Sequence, residues 1–338
     1  MNPVSILSVA TAVPAHVVEQ GEVEKLAPKV FPELFAHYPA MIDIFRNAGI
    51  ARRRTVRPLA WYLVPRDWSD RSAVFHQAGL ALFEEVSRAA LDRAGVVPQA
   101  IGTIVTVCSS GVATPSLEAR AMQAIGFRSD VRRVPVFGLG CAGGVSGLAL
   151  AAELARSDPG RIVLLVVVEL CSLAFRIDRR TKEDAVASAL FGDGAAALVL
   201  QANGGGGLPT VRGAAQHTWP DTLDVMGWSF DPVGFGVVLS RSVPVFVERR
   251  FPPVARKLLD EAGVNAEEVG RYICHPGGGN CERNVLREYG NMSAPTVLFA
   301  LERVLNLPAK GALALSALGP GFTASMVALD PVPDPVDV

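Results

Sequence analysis

Between residues 74 and 93 the apolar side chains Leu82, Val86, Ala89 and Ala90 recur at helical spacing, and Gly95 supplies a stop. A different pattern fills 162–168, IVLLVVV, an unbroken apolar run closed by Glu169. Apolar on both faces, it predicts a central strand covered by helices on both sides. The segment after Gly140 predicts a helix rich in small residues: Gly143, Gly144, Gly147, Ala149, Ala151 and Ala152. Small side chains let a helix pack close to its neighbours, so its expected place is the centre of the fold, between sheets. Near the start, Pro3 and Pro14 bracket a predicted strand.

These elements repeat. Residues 91–110, LDRAGVVPQAIGTIVTVCSS, and 259–278, LDEAGVNAEEVGRYICHPGG, each read as a helix end, a glycine stop, a polar spacer and an apolar strand. A second echo pairs 189–200, ALFGDGAAALVL, with 317–329, ALGPGFTASMVAL, a tight glycine turn followed by a strand. The chain therefore reads as two related α/β halves, 1–205 and 206–338, joined around the glycine-rich stretch 204–207. The first half carries an insertion, roughly 109–188, without counterpart in the second.

Composition narrows the class. In 338 residues, half are apolar and 19% charged, and 32 Lys and Arg balance 33 Asp and Glu to a net charge of −1. Disordered chains need lower hydrophobicity or higher net charge, and a nucleic-acid binder usually shows a basic excess. Mean hydropathy is +0.31, but the apolar run at 162–168 is far shorter than the roughly 20 residues of a membrane span. The N-terminus shows no basic leader region. Five cysteines form no C-x-x-C pair, so the expectation is reduced thiols in a cytoplasmic protein, one of them a candidate nucleophile.

Cys141 lies in VPVFGLGCAGGVSGLAL, where a strand ends near Phe137, a Gly-x-Gly turn follows and a helix begins directly after the cysteine. Unpaired N–H groups at a helix start favour a thiolate, the nucleophilic form. The alternative is a buried cysteine acting as a small hydrophobe. His275 ends the apolar strand of the second repeat in RYICHPGGGN, where α/β folds place their sites. The following proline and glycines predict an irregular loop with inward-pointing N–H groups; the alternative is a satisfied strand-end histidine. Asn291, in REYGNMSAPTVLFALERV, is by itself most simply an N-cap. Together, a thiol, a histidine and an amide donor are what a cysteine acyl-transfer site needs.

The segments VCSSGVATPSLEARAM, GLGCAGG, ALFGDGAAALVL, HPGGGN, YGNMSAPTVLFALE and ALGPGF, in this order over 107–322, resemble the type III polyketide synthases, the chalcone synthase-like branch of the thiolase superfamily. The resemblance implies an α/β, five-layered αβαβα thiolase-like fold, a homodimer, and neither metal nor cofactor. It implies Cys141 as acyl-accepting nucleophile, with His275 and Asn291 holding a thioester oxygen while malonyl-CoA loses carbon dioxide. His275 would also pair, as imidazolium, with the Cys141 thiolate. Phe191 resembles the gatekeeper between CoA tunnel and cavity, with plain core packing as the alternative. Gly319, Pro320, Gly321 and Phe322 would scaffold the cyclisation cavity, and Thr114 and Ser293 fall on substrate-contacting positions.

Departures bear on substrate. Ala174 stands where the plant enzymes carry threonine, and Val237 where they carry a second gatekeeper phenylalanine; both remove bulk. Trp228 falls near a small family position and would narrow one branch of the cavity. Asn47 replaces a lysine usual at the CoA mouth, leaving Arg46, Arg52, Arg53 and Arg54 as either phosphate contacts or a solvated loop. RPLAWYLVPRDWSDR and MGW resemble the bacterial branch that takes long fatty acyl-CoA starters and makes alkylresorcinols or alkylpyrones. The expected function is acyl loading on Cys141, two or three malonyl extensions and cyclisation. Rival readings are an initiating β-ketoacyl-ACP synthase, a cysteine-dependent thioester hydrolase and a non-catalytic scaffold.

Overall fold

The computed structural model describes residues 2–205, 207–275, 280–307 and 310–331. The first half of the chain supplies strands β1 (Val4–Ala12), β2 (His16–Glu19), β3 (Arg52–Thr55), β4 (Ile101–Val107), β5 (Arg132–Val136), β6 (Ile162–Leu170) and β7 (Asp193–Ala202). Its helices are α1 (Gln20–Val30), α2 (Pro32–His37), α3 (Ile42–Asn47), α4 (Leu59–Tyr62), α5 (Trp68–Ala94), α6 (Leu117–Ile125), α7 (Gly143–Ser157) and α8 (Lys182–Leu190). The second half adds β8 (Thr210–Thr218), β9 (Met226–Asp231), β10 (Gly234–Leu239), β11 (Val269–His275), β12 (Ala312–Gly319) and β13 (Thr323–Asp330). Helices α9 (Val243–Glu261), α10 (Asn280–Tyr289) and α11 (Pro295–Val304) belong to it as well.

Nine strands form one hydrogen-bonded run in the order β11-β12-β13-β8-β1-β7-β6-β4-β5. The seam between β1 and β8 is only two residue pairs, Val4 with Val211 and Ser5 with Thr210. On either side of it the halves mirror each other: β1, β7, β6, β4 outward in one direction and β8, β13, β12, β11 in the other. The sequence echoes fall on β4 and β11 and on β7 and β13, which hold corresponding places in this order.

Helix α7 packs on β4, β6 and β7 with one side and on β8, β12 and β13 with the other, and α11 lies beside it. Val145, Leu148, Ala151, Ala152 and Ala155 of α7 are fully buried there, as the small-residue pattern predicts. Helix α5 covers the outer face of the first half-sheet and α9 that of the second. The layers are thus α5 and α6, half-sheet, α7 and α11, half-sheet, α9: the αβαβα order. Strand β6 is buried at every position but its first. Helix α5 starts at Trp68, somewhat under two turns before the expected residue 74, capped by the Asp67 carboxylate accepting from the Asp70 N–H at 2.9 Å. It stops at Gly95 in the left-handed conformation, φ +64°. None of the described helices is long and apolar enough to cross a membrane.

Candidate active site

Cys141 sits in a single 3₁₀ turn, Gly140–Ala142, ahead of α7. Strand, glycine turn and helix thus follow in the expected order, with the cysteine inside a short 3₁₀ turn and α7 starting at Gly143. Ser109 ties the turn down, its Oγ accepting from the N–H groups of Gly138 and Gly140 at 3.2 and 3.0 Å. The turn also rests on the Gly319–Phe322 segment. A Cβ on Gly319 would lie 2.4 Å from the Leu139 carbonyl oxygen and 2.7 Å from the Ala142 nitrogen, so only glycine fits. The GPGF segment therefore buttresses the turn that carries Cys141. The Phe322 ring points away, fully buried among Trp219 and Phe246.

From the other side comes the turn before α11. Gly144 lets this turn approach: a Cβ there would lie 2.2 Å from the Ala294 carbonyl oxygen. That contact seats Ser293, whose hydroxyl donates to Cys141 Sγ at 3.4 Å. Ser293 holds a φ of +60°, a conformation unfavourable for a non-glycine residue, and its N–H donates to Asn291 Oδ1 at 2.8 Å. Asn291 is not an N-cap, since α11 begins four residues later. It forms instead an isolated parallel bridge with Phe191. Its carboxamide oxygen is engaged by Ser293, which leaves the NH₂ group as the end that can meet a ligand.

His275 is the last residue of β11 and pairs in register with Ala317 of β12, two residues before Gly319. It is 8% exposed, and neither ring nitrogen has a hydrogen-bond partner among the described residues. Such orphaned buried donors and acceptors are costly unless a ligand engages them. The loop expected after it, residues 276–279, lies outside the described residues.

The electrostatics differ from the expected thiolate–imidazolium pair. Burial pushes the Cys141 thiol up to about 11, with the Glu169 carboxylate raising it further and Ser293 opposing. Burial pushes His275 down to about 4. Both shifts favour neutral partners: burial outweighs the Ser293 hydrogen bond at Cys141, and nothing among the described residues offsets it at His275. Glu169 escaped the sequence reading. It is buried at the end of β6, accepts from the Ser109 N–H at 3.0 and 3.1 Å, and is itself raised to about 7 by burial. The signal was present as a lone carboxylate closing an all-apolar strand.

The cavity residues divide. Phe191 follows α8 and meets Trp228 edge-on, ring centroids 5.9 Å apart. Trp228 is paired across the β9–β10 hairpin with Val237, so the large ring and the small side chain are direct cross-strand neighbours. Trp228 also stacks on Phe235 at 5.9 Å, and Phe235 meets Trp68 at 5.3 Å. Ala174 is buried in the turn Cys171–Ala174. Thr114 is exposed, its carbonyl accepting from Arg120 at 3.5 Å. Arg46 is exposed and paired with Glu24, whereas Arg53 is 4% exposed and so cannot belong to a solvated loop.

Behind Phe191 opens an apolar cavity with about 650 Å³ of space, its open mouth included, lined by Leu26, Phe31, Tyr62, Phe175 and Ala187 among others. Cys171 shares its wall. A smaller pocket beside Ser110 and Leu173 is crowded by Trp68, Phe75 and Phe235.

A layered αβαβα fold, with a cysteine at the head of its central helix, a histidine at a strand end and an amide on an adjoining turn, defines an acyl-transfer enzyme of the thiolase-like kind. The comparisons agree. Residues 65–204 match the family of chalcone and stilbene synthases, N-terminal domain. The chain is 35% identical to a 1,3,6,8-tetrahydroxynaphthalene synthase of Streptomyces peucetius subsp. caesius, over 96% of this chain and 92% of the relative. It is 30% identical to a putative chalcone synthase of Bacillus subtilis (strain 168), over 95% of this chain and 97% of that one. The crystal structure of 1,3,6,8-tetrahydroxynaphthalene synthase from Streptomyces coelicolor A3(2) superposes with a TM-score of 0.91 at 27% identity, covering 98% of this chain and all of that one. The chain belongs to the chalcone synthase family and is a type III polyketide synthase, an acyltransferase.

Proposed function

We propose that this enzyme loads a long-chain fatty acyl group from its CoA thioester on Cys141, extends it with two or three malonyl-CoA units and closes the chain to an alkylresorcinol or alkylpyrone. The observation that carries this reading is the continuous link Asn291–Ser293–Cys141, with an orphaned His275 on the adjoining strand.

The residues support a definite sequence of steps. Cys141 transfers its proton to His275 as the thiolate attacks the starter carbonyl, and the CoA thiol leaves carrying that proton. A neutral His275, favoured by its depressed pKa, then donates a hydrogen bond to the malonyl thioester oxygen together with the Asn291 NH₂. Each such donor is worth about 3 kcal/mol where negative charge develops. Carbon dioxide leaves, the enolate carbon attacks the acyl carbonyl on Cys141, and the sulfur departs as thiolate. The apolar cavity behind Phe191 suits an alkyl tail, each buried methylene contributing about 0.8 kcal/mol.

Trp228 and Phe235 restrict the other branch, which favours few extensions over many. We infer a homodimer from the family resemblance, with the exposed Val112 and Phe137 at the contact. The test is incubation with malonyl-CoA and acyl-CoAs from acetyl to stearoyl, read by product mass. Several two-carbon additions and ring closure on long starters support the reading. A single addition would favour a ketosynthase, and free acid alone a hydrolase.

A further inference from the structure

Arg53, in β3, is a buried cation with no carboxylate bonded to it among the described residues. Its Nη1 donates instead to two main-chain carbonyls, Ser188 at 2.5 Å and Phe191 at 3.1 Å. The first belongs to the last turn of α8 and the second to the gatekeeper position. The stem of the same side chain lies against Gly290, where a Cβ would come within 2.7 Å of Arg53 Cγ. Gly290 precedes Asn291, and Asn291 is stitched to the Phe191 segment by two backbone bonds: its N–H to the Leu190 carbonyl at 2.8 Å, and Gly192 N–H to its own carbonyl at 3.0 Å. One arginine thus touches both sides of the junction that presents the Phe191 ring and the Asn291 amide.

Its neighbourhood is built to keep it there. Asp193, fully buried two residues after Phe191, accepts from the Val56 N–H at 2.8 Å and from the N–H and hydroxyl of Ser172 at 2.8 and 2.6 Å. It offsets part of the cost of burying the guanidinium, which burial lowers to about 10. These bonds fix β3, the Cys171–Ala174 turn and the start of β7 to one another, with Arg53 between them and the Phe191–Asn291 bridge.

We propose that Arg53 is a positioning residue for the polyketide-forming reaction: by clamping the Ser188 and Phe191 carbonyls against Gly290, it sets the Asn291 amide and the Phe191 gate relative to Cys141. The role rests on the functional reading above. A misplacement of about an ångström in a group that holds a reacting oxygen can cost on the order of a hundredfold. Because a single nitrogen makes both bonds, a lysine ammonium can replace them where an apolar side chain cannot.

The experiment compares wild type, Arg53→Lys and Arg53→Met for carbon dioxide release from malonyl-CoA, with Tm and Cys141 alkylation by iodoacetamide measured on each. Arg53→Met is expected to lose about tenfold to a hundredfold in kcat with little change in KM, while Cys141 alkylates as before; Arg53→Lys recovers most of the loss. Unchanged kcat in Arg53→Met overturns the proposal. So does an equal loss in both variants that follows their lowered Tm, which marks a purely structural arginine. A wild-type protein that releases no carbon dioxide overturns the functional reading itself.

Discussion

The Ser293 hydroxyl is the one side-chain donor on Cys141 Sγ among the described residues, and its removal has a calculable consequence. A hydrogen bond to a charged group is worth about 1.5–3 kcal/mol, and 1.36 kcal/mol corresponds to one pKa unit. Ser293→Ala should therefore raise the Cys141 thiol by about one to two units above its already elevated value of about 11. At pH 9 wild type then holds about one thiolate in a hundred and the variant about a tenth of that or less. Glu169→Gln acts in the opposite direction, because the carboxylate, raised to about 7, is mostly charged at pH 9 and disfavours the thiolate. The assay is iodoacetamide alkylation of the Cys141 peptide, followed by mass spectrometry between pH 7 and 11. Slower labelling in Ser293→Ala and faster labelling in Glu169→Gln are expected. An unchanged or accelerated rate in Ser293→Ala would refute the reasoning, as would a wild-type rate that is flat and high from pH 6 upward, the mark of a resting thiolate–imidazolium pair.

Ala187 lines the apolar cavity and is 6% exposed, so Ala187→Phe should fill it. Long acyl-CoA starters should lose about fourfold in kcat/KM per methylene displaced, while short starters are unaffected; an unchanged chain-length profile places the tail elsewhere. His275, lowered by burial to about 4 against about 6.5 when unfolded, contributes stability that is present above pH 6.5 and lost as pH falls through 4. Urea denaturation should therefore show His275→Gln losing about 3 kcal/mol less than wild type over that interval; parallel losses would contradict the desolvated, neutral imidazole.

The layered fold was legible because its signals are local. The run at 162–168 could only be a covered strand, and the glycines and alanines after Gly140 could only serve a helix pressed between sheets. The two echoes in the sequence correspond to mirrored half-sheets whose narrow seam, Val4 with Val211 and Ser5 with Thr210, no pattern reveals. At the site, Cys141 and Asn291 were recognisable as residue types in suggestive turns, but their partners depend on contacts across the chain. The turn at Ser293 reaches Cys141 only because Gly144 has no side chain. That Trp228 and Val237 are direct neighbours depends on hairpin register, which their separate places in the sequence did not disclose. Arg53 looked like one member of an exposed basic cluster because alternation in the short β3 strand, which turns Arg53 inward and Arg52 outward, is invisible in three consecutive arginines.

In the proposed reaction Cys141 is the residue that carries the growing chain. Intact-protein mass spectrometry after brief incubation with a long-chain acyl-CoA, without malonyl-CoA, tests this directly. One acyl group should appear on wild type, map to the Cys141 peptide, and vanish on addition of malonyl-CoA as cyclised product forms. Cys141→Ala should carry none. An acyl group on another residue, or product formation by Cys141→Ala, would contradict the account.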